Sequence, residues 1–452
     1  MSQQDQVIEE IKKSGAKKVK VAIADADGVL RGKYIHVDKF LSAVESGFGF
    51  CNVVFGWDMA DVCYENDVKY TGWHSGYPDA AVQLDLSTFR RVPWDNDVPF
   101  FLGDFVDESK APLGVCPRQT LKRVIQRAAD KGYKGTFALE FEFFNFREDP
   151  HSLAEKGFQN MQPLTPGMFG YSLLRAGLNS DYFNAIMDDL TAFGVPVEGL
   201  HTETGPGVFE AAVQYSDALE AADRAILFKT GIKEIAYRFG IVPTFMARWS
   251  NAYPGSSGHI HQSIWNDSGN LFYDENDPGK MSDTFRSYIA GQMKLLPEIL
   301  PCFAPTINSY KRLVEGYWAP TNVNWGLDNR TCALRVIPGS AKSTRLETRV
   351  PGADLNPYLG VAAAFAAGLY GIENKLELPS GPVQGNGYKD ENAVKLPGSL
   401  EEAADKMYKS EVVREYLGDA FVEHFATSRQ WEVDQYRQAV TGWELERYFE
   451  II

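Results

Sequence analysis

The sequence predicts an α+β protein, and three patterns predict it. Apolar residues recur at helical spacing over 213–238, 281–299, 357–375, 399–417 and 429–449, with short β-rich runs between them. The stretch "VKVAIADADGVLRGKYIHV" (19–37) is two such runs around Asp27-Gly28, a hairpin signal. Three later strands carry polar or charged residues two apart: Glu140/Glu142, His259/His261 and Glu347/Arg349. Side chains at that spacing share one face of a sheet.

Taken in order, the chain begins with "MSQQDQVIEEIKKSGAKKVK", a polar helix start with no apolar signal core. Strand-like runs follow the hairpin as far as "VPFFLGDF". In "APLGVCPRQTLKRVIQRAADKGY", Pro117 opens a helix and Gly132 stops it. A domain boundary is therefore expected near residue 112, dividing the chain into 1–112 and 113–452. The segment "ALEFEFFNF" (138–146) reads as a buried strand. The most apolar run, "YLGVAAAFAAGLYGI" (358–372), is too short to span a bilayer and reads as a packed core helix.

Composition narrows the function. The 452 residues are 44% hydrophobic and 13% aromatic, enough for a large core. Asp and Glu number 60 against 45 Lys and Arg, a formal charge of -15. That balance argues against nucleic acid and anionic membranes as partners, but not against a small anion at a locally basic site. The cysteines at 51, 63, 116, 302 and 332 are scattered and form no C-x-x-C pair, as expected of reduced thiols in a cytoplasmic protein.

Two glutamates on one buried strand face repel, and burial makes that costly unless a cation lies between them. An isolated E-x-E is commonly a solvated strand face. Here "FALEFEFFNF" leaves no polar face except Glu140 and Glu142. The candidate metal ligands are Glu140, Glu142, Glu203, Glu210, His259 and Glu347; Glu203 and Glu210 lie in the Gly-Pro-Gly loop of "HTETGPGVFE". Five carboxylates and one imidazole suit two hard divalent ions, Mg²⁺ or Mn²⁺. His261 is either a hydrogen-bonded structural residue or faces a bound ligand. Between 311 and 349 lie Lys311, Arg312, Arg330, Arg335, Lys342, Arg345 and Arg349, set among apolar residues and Gly-Pro turns. Guanidinium forks fit carboxylates and phosphates, so metals ringed by arginines describe phosphoryl transfer. No Walker A motif is present.

The ordered motifs "LEFEFF", "HTETGPGVFE", "GSSGHIHQSIW", "NSYKRL", "DNRTCALRV" and "RLETRVPGADLNPYL", with "PWDNDVPFFLGDF" upstream, resemble the glutamine synthetase superfamily over most of the chain. The resemblance implies a small β-grasp-like N-terminal domain and a catalytic domain with a curved antiparallel sheet flanked by helices. It also implies ATP and two Mg²⁺ (or Mn²⁺) as cofactors, and a homo-oligomer of two hexameric rings whose sites form between neighbouring subunits. By position, Glu142, Glu203 and Glu210 would hold one metal, and Glu140, His259 and Glu347 the other. Arg312 would grip L-glutamate beside Gly255, and Arg330, Arg335 and Arg349 would contact phosphates or the phosphorylated intermediate. Ser263 and Lys342 would contact the nucleotide, with His261, Arg330 and Arg345 placed on the same side.

The sequence departs from the family at the acceptor pocket. Where glutamine synthetases read "VPGYEAP", with a glutamate in the ammonium site, this chain reads "VEGYWAP" and carries Trp318. The change removes a carboxylate and adds a flat apolar surface able to meet an alkylammonium. The family's "DGSS" loop is replaced within "VVFGWDMADVCYEN" (53–66), where Asp58 and Asp61 are the candidate bases and Trp57 a candidate wall. The expected activity is ATP-dependent ligation of glutamate's γ-carboxylate to a small organic amine, an alkyl or aromatic monoamine ahead of a polyamine, opening a catabolic route for the amine. The alternatives are a glutamine synthetase using ammonia and a non-catalytic relative.

Overall fold

The computed structural model describes residues 3–452. A five-stranded sheet fills the first quarter of the chain, in the order Leu30–His36, Lys18–Ala24, Val98–Val106, Asp79–Val92, Phe48–Cys51. The hairpin pairs antiparallel from Lys18 with His36 to Ala24 with Leu30, as its sequence signal predicts. The strands Lys18–Ala24 and Val98–Val106 run parallel, the mixed arrangement of a β-grasp. The helix Val37–Ser46 crosses one face, where Phe40 stacks on Phe101 with ring centroids 4.8 Å apart. Every residue of Val98–Val106 is buried because the other face is covered too: Phe100 and Leu102 join the large core of the following body.

A ten-stranded sheet organises that body. Its main path runs Trp325–Leu327, Leu334–Ile337, Arg345–Thr348, Gly258–Asn266, Lys134–Phe146, Val208–Val213, Val197–Thr202. Only the first pair on this path is parallel. On strand Lys134–Phe146, Phe137, Leu139, Phe141 and Phe143 are buried at alternate positions. Phe141 stacks on Phe228 of the helix Ala218–Tyr237 at 5.7 Å, so this face is the core and the other is free for polar groups.

The apolar run at 358–372 lies within the helix Pro357–Glu373, buried almost throughout against the helix Asp283–Ile299. Small residues set that contact. A Cβ on Gly291 would lie 2.2 Å from the Ala367 carbonyl oxygen and 2.7 Å from the Gly371 Cα, so only glycine fits. Two expected helices are divided. The segment 399–417 splits into Leu400–Lys409 and Glu411–Leu417 because the Ser410 hydroxyl accepts the Val413 amide and starts a new helix. The last begins earlier, at Asp419, and ends at Gln438; Thr441 and Glu444 form a capping box for Gly442–Tyr448. Among the described residues, no helix is long and apolar enough to cross a membrane.

Candidate active site

Sheet register gathers the charged residues. His259 stands opposite Glu140, and His261 opposite Glu347. Glu347 in turn faces Arg335, while Glu210 lies between Glu142 on one side and His201 on the other. The two-residue spacing on each strand therefore becomes a two-dimensional patch, because neighbouring strands present the same parity to the same face.

Two donor groups converge within it, Glu140–His261–Glu347 and His201–Glu203–Glu210, each with ligand atoms within 4.8 Å of one another. His259 borders the first: its Nδ1 lies 3.2 Å from Glu140 and 3.4 Å from Glu347. Glu142 accepts the Ser257 backbone amide. His201 is the residue that motif reading passed over. Its Nε2 is 3.5 Å from Glu210 and its ring stacks on Tyr171 at 4.5 Å. The signal was available, since His201 and Glu203 repeat the i, i+2 spacing of the other pairs.

The electrostatics of this patch call for cations. Burial, then repulsion from Glu140, Glu142 and Glu203, pushes the Glu210 carboxyl up to about 11. Burial also raises Glu142. Against the cost of burial, hydrogen bonds with His259 and His261 hold Glu140 well below the usual carboxylate range. Glu347, buried beside His259 and Arg349, is held at about 2. Burial, with Arg349 nearby, lowers His259 to about 4. Both His259 Nε2 and His201 Nε2 are buried and hydrogen-bond to nothing among the described residues. Carboxylate oxygens with unpartnered imidazole nitrogens fit hard divalent ions.

The basic residues rim the patch. Arg335 donates to Glu347 at 2.9 Å and to Asp328, and Arg349 donates to Glu347 and to the Arg330 carbonyl. Arg330 itself is exposed. Arg312, on the short helix Ser309–Arg312, is buried and donates to the Val350 carbonyl at 2.8 Å and the Ser257 hydroxyl at 3.0 Å. Burial lowers its pKa to about 10. Gly255 lies against it, since a Cβ there would fall 2.2 Å from the Ala247 carbonyl oxygen and 2.8 Å from the Arg312 Cγ. A cavity of about 650 Å³ opens beside Glu140 and is lined by His261, Ser263, Lys342 and Arg345, with the indole of Trp265.

The expected acceptor-side residues belong to neither donor group. Trp318 is 53% exposed in the single chain and sits at φ 61°, a left-handed conformation uncommon for a bulky side chain. Asp58 is occupied within its own loop: it accepts the Ala60 and Val62 amides and the Trp431 indole N–H. Asp61 is exposed and ion-paired with Arg31 at 2.9 Å.

With this geometry in hand, known proteins give the chain its relatives. A family model described as "Glutamine synthetase, catalytic domain" matches residues 114–448. The chain is 54% identical over 457 residues to type-1 glutamine synthetase 2 of Dictyostelium discoideum, covering 100% of this chain and 87% of the relative. It is 40% identical over 446 residues to glutamate–isopropylamine ligase of a Pseudomonas species, covering 98% and 97%. Among solved structures, the ADP complex of GmaS superposes with a TM-score of 0.83 at 27% identity, over 98% of this chain and 99% of that one.

Proposed function

The chain belongs to the glutamine synthetase family, whose members are ATP-dependent ligases that use divalent metals, and from that premise we propose that it joins the γ-carboxylate of L-glutamate to a small organic amine. Trp318 carries this reading: by resemblance it takes the position of the family's ammonium-site glutamate, and its indole is exposed on a strained backbone conformation. The resemblance to a relative named for isopropylamine supports it.

A γ-carboxylate oxygen attacks the γ-phosphorus of ATP, and the bond to ADP breaks, leaving γ-glutamyl phosphate. The free amine then adds to the acyl carbon, the carbon–oxygen bond to phosphate breaks, and the proton on nitrogen passes to a base. Arg312 binds the glutamate carboxylate in a dry pocket where one charged hydrogen bond is worth more than in water. Arg330, Arg335 and Arg349 answer the charge that gathers on the transferring phosphoryl group. Ser263, Lys342, Arg345 and His261 line the cavity assigned to the nucleotide. Two divalent ions, when bound by Glu142, Glu203 and Glu210 and by Glu140, His259 and Glu347, would neutralise the polyphosphate and the clustered carboxylates; His201 and His261 are further donors. The indole excludes water and packs against the amine's carbon substituent; an alkylammonium over it gains roughly 0.5–2 kcal/mol.

The amine-bound proton leaves through Asp58 or Asp61 of a neighbouring subunit in a double hexameric ring; within the single chain Asp58 is held by hydrogen bonds and Asp61 by Arg31. Large apolar side chains such as Leu173, 88% exposed in the single chain, favour burial between subunits. Light scattering at a mass near twelve chains supports the assembly, and a monomer contradicts it.

Ammonia remains a second reading because the relative at 54% identity is named a glutamine synthetase. ADP release with Mg²⁺, ATP and glutamate, compared across ammonia, methylamine, isopropylamine, ethanolamine, putrescine and aniline, separates them. A preference for one organic amine supports the proposal. Ammonia outrunning all of them contradicts it.

A further inference from the structure

Asp354 lies past Arg349, in the turn that joins the strand Arg345–Thr348 to the helix Pro357–Glu373. Its Oδ2 accepts the Ser309 hydroxyl at 2.5 Å and the Thr306 hydroxyl at 3.1 Å. Its Oδ1 is buried and has no hydrogen-bond partner among the described residues. Burial raises the carboxyl above its ordinary value, against the pull of Ser309, Lys229, Thr306 and Arg312. A carboxylate kept at such a cost calls for a reason.

The two hydroxyls supply one. They stand at the entrance to the four-residue helix Ser309–Arg312, whose other end is Arg312. The Thr306 amide donates to the Ser309 hydroxyl at 3.0 Å, and the Ser309 amide donates to the Thr306 hydroxyl at 3.1 Å. A single carboxylate oxygen therefore ties both sides of this turn. A helix so short has too few internal hydrogen bonds to hold its own direction, so its anchors set where Arg312 points.

The anchor is itself fixed. The Gly352 amide donates to the Phe303 carbonyl and the Ala353 amide to the Ser256 carbonyl, each at 3.0 Å. Lys229 donates to the Leu355 carbonyl at 2.9 Å. A Cβ on Gly352 would fall 2.4 Å from Asp354 Oδ1, so glycine there leaves room for the carboxylate. Ser256 stands between Gly255, which lies against Arg312, and Ser257, whose hydroxyl accepts the Arg312 guanidinium. The turn bearing Asp354 thus braces Arg312 and the wall beside it together.

We propose that Asp354 is a positioning residue for L-glutamate, holding the helix Ser309–Arg312 so that the Arg312 guanidinium meets the amino acid in register. The inference rests on the reading that Arg312 grips glutamate, but not on which amine follows. What the two hydroxyls need is an acceptor oxygen at that place, and asparagine supplies one.

Asp354→Ala removes the oxygen and Asp354→Asn keeps it. Ser309→Ala breaks the same link from the other side. Glutamate is varied with ATP and Mg²⁺ saturating and hydroxylamine as acceptor, a small nucleophile that traps an acyl phosphate whichever amine is natural. Hydroxamate is the readout, and the KM for ATP is measured beside it. The expected result is a rise of about 10-fold to 100-fold in the KM for glutamate in both alanine variants, the cost of a misplaced binding group. The KM for ATP stays as in the parent, and Asp354→Asn returns the KM for glutamate toward the parent value. A parent-like KM for glutamate in both alanine variants overturns the proposal. So does a joint rise in both KM values, which marks general loosening, and so does an asparagine variant as impaired as the alanine one. If Asp354→Ala does not fold, Ser309→Ala and Asp354→Asn decide by the same measurements. A parent that makes no hydroxamate from glutamate contradicts the glutamate reading, and the proposal falls with it; an active parent with unaffected variants sinks the proposal alone.

Discussion

At position 318 the chain keeps an indole at φ 61° and half exposed, although a smaller residue would adopt that backbone more readily. Strain tolerated at an exposed aromatic is most simply explained by something that packs on it. Trp318→Glu restores a carboxylate, which attracts ammonium and repels no cation. It is expected to shift the ratio of kcat/KM values for isopropylamine and ammonia by about 10-fold to 200-fold toward ammonia, the range that one pocket contact commands. An unchanged ratio would return Trp318 to a packing role. His201 makes a second test at this scale. Its unpartnered Nε2 beside Glu210 predicts that His201→Asn raises the Mn²⁺ concentration needed for half-maximal activity by about 10-fold to 100-fold, as loss of a ligand or of its support does. An identical metal titration would remove His201 from the site.

At the scale of the element, what could be read in advance was periodicity. The alternation in Lys134–Phe146 announces both its apolar face and the pair Glu140/Glu142, and register then brings His259, Glu210 and Glu347 to them. Pairing between distant strands leaves no local mark, so which carboxylate faces which imidazole was legible only by resemblance. The helical breaks at Ser410 and Thr441 were hidden for a different reason: the apolar period runs on through a capping residue, and only the backbone amide that its hydroxyl accepts shows that the helix restarts. Close packing of helices is legible as small residues, and it sets a quantitative expectation. Gly291→Ala places a Cβ 2.2 Å from a backbone oxygen in a rigid neighbour, so urea unfolding is expected to show a loss of about 1–3 kcal/mol, the usual cost of overpacking. A stability equal to the parent's would mean that the two helices slide apart without cost.

Over the whole molecule, buried cations tie the N-terminal sheet to the catalytic body, and Arg118 makes the densest of these contacts. Arg118 donates to Asp223 at 2.9 and 2.8 Å, to Asp104 at 2.7 Å and to Asp85 at 2.9 Å, and the Tyr358 hydroxyl adds a bond to Asp223. Arg118→Met strands these carboxylates in the interior, and its cost is expected near 3–5 kcal/mol in chemical denaturation. Burial opposes the charge on Asp85, but Arg118 wins and lowers its pKa from 3.8 to about 2. A carboxyl depressed in the folded state contributes stability that is present above its unfolded value and is lost as pH falls through the folded one. Acid unfolding is therefore expected to gain a component between about pH 4 and pH 2 that Asp85→Asn removes; an unaltered acid profile would show the pair to be energetically silent. The patch of carboxylates, imidazoles and arginines lies on the second sheet alone, and the proposed choice of nitrogen rests on the loop that carries Trp318. That choice is the central claim, and a competition tests it most directly. The protein is given ATP, Mg²⁺, glutamate and equal concentrations of ammonium, methylamine, isopropylamine, ethanolamine, putrescine and aniline, and the products are weighed by mass spectrometry. The account predicts the γ-glutamylamide of one organic amine as the main product; glutamine as the main product would contradict it.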